Sequence, residues 1–109
     1  MSRALRIGQR ARTDADAIFN WLARRSIQGA ISWYLAFGRA LERIQAAPET
    51  CASAQESLLL QRELRQELFK TRRGRLYRIV FQIDETQVTI LRIRGPGQAP
   101  LRRRDVPSE

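Results

Sequence analysis

The sequence contains no histidine, a single cysteine and a single lysine among its 109 residues, and each shortage excludes a kind of chemistry. Without histidine, neither a Ser-His-Asp triad nor a His-based general base is possible. The lone Cys51 cannot form an intramolecular disulfide or build a four-ligand zinc site. We therefore expect no cofactor and no metal. Any catalysis would have to use Arg, Lys70, Tyr, Asp, Glu, Ser or Thr.

Long hydrophobic runs are also missing. No apolar stretch approaches the roughly 20 residues that a membrane span needs, and residues 1–7 lack the apolar core of a signal peptide. We expect a soluble cytoplasmic protein without a membrane partner. The hydrophobic fraction of 43% is nevertheless enough for a globular core, and the length predicts a single domain over residues 1–109.

Negative charge is scarce, because 11 acidic residues face 20 basic ones and the net charge is +9. The densest basic window contains one acidic residue, Glu67, among six basic ones: Arg65, Lys70, Arg72, Arg73, Arg75 and Arg78. A small basic protein of this kind often binds a polyanion or an acidic protein.

Two amphipathic helices are predicted in the first half of the chain. Thr13 is a suitable N-cap for the first, followed by Asp14 and Asp16 at the positive end of the helix dipole. Ser26 is a suitable cap for the second, which Pro48 ends. The short link predicts an antiparallel hairpin. The expected core stripe of the second helix comprises Ile27, Ile31, Leu35, Gly38, Leu41 and Ile44, widened by Trp33, Phe37 and Ala40.

Alternating apolar residues predict strands, weakly in residues 4–11 and clearly in residues 62–70, 76–83 and 87–94. Residues 49–61 are predicted as a loop, with or without a helical turn. The order β-α-α-β-β-β indicates an α+β fold, in which an N-terminal helical hairpin packs on one face of a small antiparallel sheet. Residues from about 102 to 109 are expected to form a flexible, solvated basic tail.

The register of the last two strands decides where their arginines lie. A three-residue loop, Asp84–Thr86, would place Arg78 opposite Arg92 and gather both with Arg94 on the face away from the helices. Like charges opposite each other are unfavourable, so an anion is expected to balance them. Glu67, the tail or solvent are the alternatives to an external anion. The expected core face comprises Tyr77, Ile79, Phe81, Ile83, Thr89, Leu91 and Ile93.

The element order, the basic sheet and the segment YRIVFQIDETQVTILRI, residues 77–93, together resemble the RelE/ParE superfamily of type II toxins, also called plasmid stabilisation proteins. The segment DADAIFNWLARRS, residues 14–26, is similar to the first helix of that family. The resemblance spans about residues 3–101 and depends on order and spacing. It implies a growth-inhibiting toxin that a cognate antitoxin neutralises by wrapping its C-terminal segment around the domain. Such a pair binds operator DNA only through the antitoxin.

The resemblance leaves the target open. RelE-like members are ribosome-dependent mRNA endonucleases, which need a base, cations for the phosphate charge and a proton donor. For that alternative the resemblance assigns Arg78, Lys70, Arg65 and Arg92 as catalytic. The segment GPGQAPL, residues 95–101, lacks the basic residue and the tyrosine of the RelE pattern. A non-enzymatic, ParE-like inhibitor of DNA gyrase is therefore favoured over a nuclease acting on the ribosome with its mRNA.

A third alternative is a non-catalytic nucleic-acid-binding module. It lacks an obvious stacking surface, because Tyr77 and Phe81 belong to the expected core face of the sheet. Among the sheet aromatics, only Phe69 is a candidate to face outward. Core packing is favoured for Trp33 and Phe37, which would join a binding surface only if exposed. The candidate surface for the target or for an acidic antitoxin segment comprises Arg65, Lys70, Arg78, Arg92, Arg94, Trp33 and Phe37.

Overall fold

The structure, a computed structural model, describes residues 3–107. Its N-terminal half contains two long helices, α1 (Gln9–Ala23) and α2 (Ile27–Ala46). The first helix begins one turn earlier than predicted, with Gly8 rather than Thr13 as N-cap. The Thr13 hydroxyl instead donates to the Gln9 carbonyl within the helix, at 3.1 Å. None of the helices in the described part of the chain is long and apolar enough to cross a membrane.

The second helix begins and ends where the sequence predicted, but only part of the predicted stripe, namely Trp33, Phe37, Ala40 and Ile44, is buried against the sheet. Ser26 caps it by accepting a hydrogen bond from the Gly29 amide at 3.0 Å. The predicted stripe residues Ile27, Ile31 and Leu35 are exposed. The buried stripe consists of Ala30, Trp33, Ala36, Phe37, Ala40 and Ile44. Both sets of residues recur at helical spacing, so packing against the sheet selects the side that is buried.

Five strands form one sheet in the order β1-β5-β4-β3-β2. The strands are β1 (Ala4–Ile7), β2 (Ala52–Ser53), β3 (Arg65–Phe69), β4 (Tyr77–Ile83) and β5 (Gln87–Arg94). The sheet is mixed, because β1 lies parallel to β5 while the other pairs are antiparallel. The α+β prediction is confirmed. Residues 49–61 contain β2 and a short helix, α3 (Glu56–Leu60), as well as loop.

The register of the β4–β5 hairpin differs from the predicted one. The Asp84 amide donates to the Gln87 carbonyl at 2.9 Å, which leaves a two-residue loop. A β-bulge then shifts the ladder, so that Phe81 lies opposite Ile90 but Val80 lies opposite Arg92. The bulge keeps arginine off the helix-covered face, which a two-residue loop alone would not do. Arg78 therefore lies opposite Arg94 and not opposite Arg92.

The sheet separates two apolar clusters. On the inner face, Phe81, Val88 and Ile90 pack with Trp33 and Phe37 of α2. Val88 and Ile90 thus take the places predicted for Thr89 and Leu91. On the outer face the cluster comprises Ala54, Leu60, Leu64, Val80, Leu91, Leu101 and Val106.

Residues 99–106, the C-terminal segment, cover part of this outer face. Leu101 and Val106 are buried, and Arg103–Asp105 forms a turn of 3-10 helix. This position differs from the expected solvated tail. The difference has a physical reason, since Val80 and Leu91 would otherwise expose apolar side chains to water. Residues 108 and 109 of the predicted tail lie outside the described residues.

Candidate functional site

The arginines predicted to share a face of the sheet do so, but each is bound to groups of the protein itself. Arg78 comes from the start of β4, and Arg92 and Arg94 come from the end of β5. Their guanidinium groups point toward α3, α1 and the C-terminal segment. We call these three residues the arginine cluster. Their contacts decide whether they are available to a ligand.

Arg78 forms a two-point ion pair with Glu56, the first residue of α3. Its Nη1 donates to Oε1 at 2.9 Å and its Nη2 donates to Oε2. Glu56 is completely buried, and only 12% of the Arg78 side chain is exposed. The amide of Leu101 also donates to Oε2, at 2.8 Å. One buried carboxylate therefore joins β4, α3 and the C-terminal segment.

The ionised state of Glu56 is favoured despite its position. Burial alone would raise the pKa of the carboxyl group, since a charge is costly in an apolar interior. The hydrogen bonds from Arg78 and from the Leu101 amide outweigh burial and lower the pKa of Glu56. Buried carboxylates usually need such a paired cation and hydrogen bonds together.

Arg92 is bound in the same manner at the other end of the cluster. Its Nε and Nη2 donate to the two carboxylate oxygens of Asp14 at 2.8 and 3.0 Å. Its Nη1 donates to the Asp105 carbonyl at 2.8 Å. Asp14 also accepts from the Ile93 amide at 2.9 Å, at the edge of β5 beyond the last residue paired with β1. The hydrogen bonds that Arg92 donates to the Asp14 carboxylate raise the pKa of Arg92.

The C-terminal segment covers the remaining member of the cluster. Arg94 Nη2 donates to the Ala99 carbonyl, and burial followed by the nearby charge of Arg92 lowers the pKa of Arg94. Outside the cluster, Arg62 Nη1 donates to the Val106 carbonyl at 3.5 Å. Backbone carbonyls of residues 99–106 are thus acceptors for several guanidinium groups. The anions that balance the predicted arginines are Asp14 and Glu56, with carbonyl oxygens beside them.

The two other predicted site cations lie apart from this cluster. Arg65 donates to the carbonyls of Glu49 and Cys51 at 3.1 and 2.9 Å and forms an ion pair with Glu63 at 3.1 Å. Lys70 is exposed just after β3. Glu67, which was a candidate counter-ion for the sheet arginines, instead pairs with Arg43 of α2 at 2.6 Å.

Trp33 and Phe37 are buried, at 2% and 5% exposure, so the condition for placing them on a binding surface is not met. They stack on each other with ring centroids 5.3 Å apart. Phe69, the candidate outward aromatic, is buried as well. Cys51 lies part-buried beside Glu67, and burial followed by that negative charge raises its pKa to about 11.

Sequence reasoning missed the apolar surface on the outer side of the hairpin. Ile27, Ile31, Tyr34 and Leu35 of α2 are between 48% and 60% exposed, and we call them the hairpin surface. A cavity of roughly 340 Å³ lies beside it and is lined by Phe19, Ile31 and Tyr34 among others. The signal was present in the sequence, because α2 carries apolar residues on two sides and one sheet can cover only one of them.

The family model for the ParE toxin of the type II toxin–antitoxin system parDE matches residues 5–100 of the chain. The chain belongs to the ParE toxin family. Its fold is also similar to a chain in the crystal structure of the toxin–antitoxin complex RelBE2 from Mycobacterium tuberculosis. That alignment has 20% identity and a TM-score of 0.45, and it covers 87% of this chain and 99% of the other. No curated protein matches the sequence.

In this ParE family member, the carboxylates that lie beside the arginine cluster, Asp14 and Glu56, are already ion-paired with Arg92 and Arg78. Tyr34 lies on the hairpin surface, and Tyr77 packs against the inner cluster. Among residues 3–107, no group of three or more Cys, Asp or Glu side chains is arranged to hold a metal ion.

Proposed function

We propose that this ParE family toxin inhibits growth by binding DNA gyrase and that it does not cleave RNA. The observation that carries the proposal is the pairing of Arg78 with Glu56 and of Arg92 with Asp14. Both arginines were among the four candidates for a nuclease site, with Lys70 and Arg65. Each already has an internal carboxylate partner, and the C-terminal segment lies beside both.

The chemistry of RNA cleavage supports the same conclusion. Attack by a 2′-hydroxyl needs a base, a proton donor and cations that reach the phosphate. The side chains of Arg78 and Arg92 are 12% and 16% exposed, so a phosphate would reach them poorly. Lys70 is exposed and Arg65 is partly buried, and both lie apart from the arginine cluster. Binding without bond cleavage requires none of these groups.

Purified components test the target directly. We expect the toxin to inhibit supercoiling of plasmid DNA by gyrase in a reaction that contains no ribosomes. When the toxin is produced in cells, we expect growth to stop and no new mRNA 5′ ends to form at codon positions. Uninhibited supercoiling together with translation-dependent mRNA cleavage would contradict the proposal and support the RelE-like alternative.

We further propose that a cognate antitoxin covers the hairpin surface. The surface is apolar, it is exposed, and it belongs to a protein with a net charge of +9. An amphipathic segment with acidic flanks complements both properties. Ile31→Asp should abolish neutralisation by a coexpressed antitoxin while toxicity persists. Leu59→Asp is the control, because Leu59 is 72% exposed on α3 and lies outside the hairpin surface. Equal loss of neutralisation in both variants would contradict this assignment.

A further inference from the structure

Two neighbouring cavities lie where the end of α1 approaches the β3–β4 turn. Their volumes are roughly 430 and 240 Å³, and both are lined by Trp21, Arg75 and Tyr77. The larger also contacts Gln98, and the smaller contacts Thr71 and Arg73. We call the combined feature the Trp21–Tyr77 cleft. None of its lining residues belongs to the arginine cluster or to the hairpin surface.

The cleft is positively charged. Arg73 and Arg75 line it, and no acidic residue among residues 3–107 does. Among the described residues, no carboxylate lies within ion-pair distance of Arg72, Arg73 or Arg75, in contrast to the paired arginines of the sheet. Like-charged guanidinium groups gathered on one turn repel each other unless an anion binds between them. The turn therefore suits a ligand that brings several negative charges.

The aromatic rings in the cleft are held in place. Trp21 is 49% exposed, and the guanidinium carbon of Arg25 lies 3.7 Å from its ring centroid. Tyr77 packs against Phe69 and Trp33, with ring centroids 5.7 and 5.8 Å away. Such fixed rings lose little entropy when a flat ligand stacks on them.

Two glycines keep the cleft open and the turn tight. A Cβ atom at Gly95 would lie 3.3 Å from Cε2 of Tyr77, so a larger residue would press on the ring. A Cβ atom at Gly74 would lie 2.1 Å from the Thr71 hydroxyl oxygen. Glycine at that position lets the turn close with Arg73 and Arg75 on either side of it. The backbone thus supports both the aromatic and the cationic parts of the cleft.

We propose that the Trp21–Tyr77 cleft binds single-stranded nucleic acid, with a base stacked on the exposed Trp21 beside Tyr77 and phosphates held by Arg73 and Arg75. Aromatic side chains interleaved with cations are the usual means of binding single strands. An acidic peptide would satisfy the charges but would bring no flat ring to the aromatic walls. A duplex would hide its base faces. The proposal does not depend on gyrase or on an antitoxin, and its test contains neither.

Fluorescence anisotropy with labelled rU12 and dT12 measures the binding. Arg73→Gln/Arg75→Gln should raise the Kd about tenfold. It should also reduce the slope of log Kd against log salt concentration by about 1.4, as expected for two lost phosphate contacts. The control is Arg103→Gln/Arg104→Gln, which removes the same charge from exposed residues elsewhere and should change the Kd less than about twofold. A comparison of rU12 with dT12 shows whether the ligand is RNA or DNA.

Stacking is tested separately from charge. Trp21→Ala should raise the Kd about five- to tenfold without changing the salt slope, and Trp21→Tyr should retain most of the affinity. Thermal unfolding of each variant verifies the fold, and Trp21 fluorescence in the wild-type protein should be quenched by the oligonucleotide. Equal weakening by the Arg103/Arg104 control, preference for duplex DNA, or equal competition by an oligoglutamate peptide would each overturn the proposal.

Discussion

Replacing Glu56 by glutamine should destabilise the protein more than the same substitution at any exposed glutamate. The substitution preserves volume and one acceptor oxygen but removes the charge that balances Arg78. Three donors converge on the carboxylate: Arg78 Nη1 at 2.9 Å, Arg78 Nη2 and the Leu101 amide at 2.8 Å. Because glutamine brings its own NH₂ group, at least one donor would face another donor.

The expected loss is about 3 kcal/mol in the free energy of unfolding. Removing one partner of a buried ion pair costs about 3–5 kcal/mol. The lower end applies here for two reasons. Glutamine can still accept a hydrogen bond from Arg78 or Leu101, and 12% of the Arg78 side chain is exposed to water. Glu63→Gln is the matched control, since Glu63 is 81% exposed and its ion pair with Arg65 contributes less than about 1 kcal/mol.

Urea denaturation monitored by circular dichroism measures the difference. For a chain of this size, the free energy of unfolding falls by roughly 1.5 kcal/mol per molar urea. A loss of about 3 kcal/mol therefore lowers the urea concentration at the unfolding midpoint by about 2 M. The pH dependence adds a second readout. The pKa of Glu56 lies below its ordinary value of 4.5, so the unfolded chain takes up this proton at a higher pH than the folded chain does.

The contribution of Glu56 is therefore complete near neutral pH and is lost as the pH falls below about 4.5 through the lowered pKa. Glu56→Gln has no such proton to bind. The difference in the free energy of unfolding between wild type and variant, which we call the stability gap, should be largest at pH 7 and should become smaller in acid. A gap that stays constant down to pH 3, or a midpoint shift no larger than that of Glu63→Gln, would refute the reasoning.

Two further predictions follow from the other carboxylates. Asp14→Asn should lower the free energy of unfolding by about 2 kcal/mol, because Arg92 loses a charged partner, whereas Asp16→Asn, which changes an exposed residue two positions away, should have little effect in the same urea experiment. Cys51 should react with iodoacetamide at pH 8 more slowly than a free cysteine, since its pKa is about 11, and Glu67→Gln should speed the reaction only partly because burial is the larger cause. Equal rates for Cys51 and free cysteine would contradict that assignment.

Local patterns predicted the elements well where one physical cause dominates. The predicted residues of β5, 87–94, agree with the structure, because a run rich in β-branched and apolar residues between two loops favours a strand, although β5 proves to be covered on both faces. Ser26 and Pro48 likewise marked the limits of α2 correctly, since capping and the missing proline amide act within a few residues. These signals depend on neighbours in sequence and need no knowledge of the fold.

Features that depend on distant residues were not predictable in the same way. Both Ile31 and Trp33 have helical spacing with other apolar residues, and only contact with the sheet decides that Trp33 is buried. The bulge in the β4–β5 ladder is invisible to a two-residue period, because it breaks that period. Thr13 had good capping chemistry, yet α1 begins earlier, at Gln9, directly after β1.

The ion pairs are the clearest case. Arg78 and Glu56 are separated by 22 residues, and Arg92 and Asp14 by 78, so no local pattern connects them. A run of arginines on one face of a sheet predicts equally well a site for a phosphate and a set of internal ion pairs. Only the position of the carboxylates in the folded structure distinguishes a phosphate site from a set of internal ion pairs. That position depends on the packing of α3 and α1 at opposite ends of the cluster.

Magnitudes support our proposal that the toxin acts by binding and does not cleave RNA. A preorganised donor to the charge of a transition state contributes about 3–4 kcal/mol. To act in that way, Arg78 or Arg92 would first have to leave its carboxylate, at a cost of about 3 kcal/mol for Arg78 and about 2 kcal/mol for Arg92. This cost offsets most of the contribution, so either arginine would give little net acceleration. The same pairs hold the sheet, α1, α3 and the C-terminal segment in one rigid arrangement, which is what a protein that acts by binding requires.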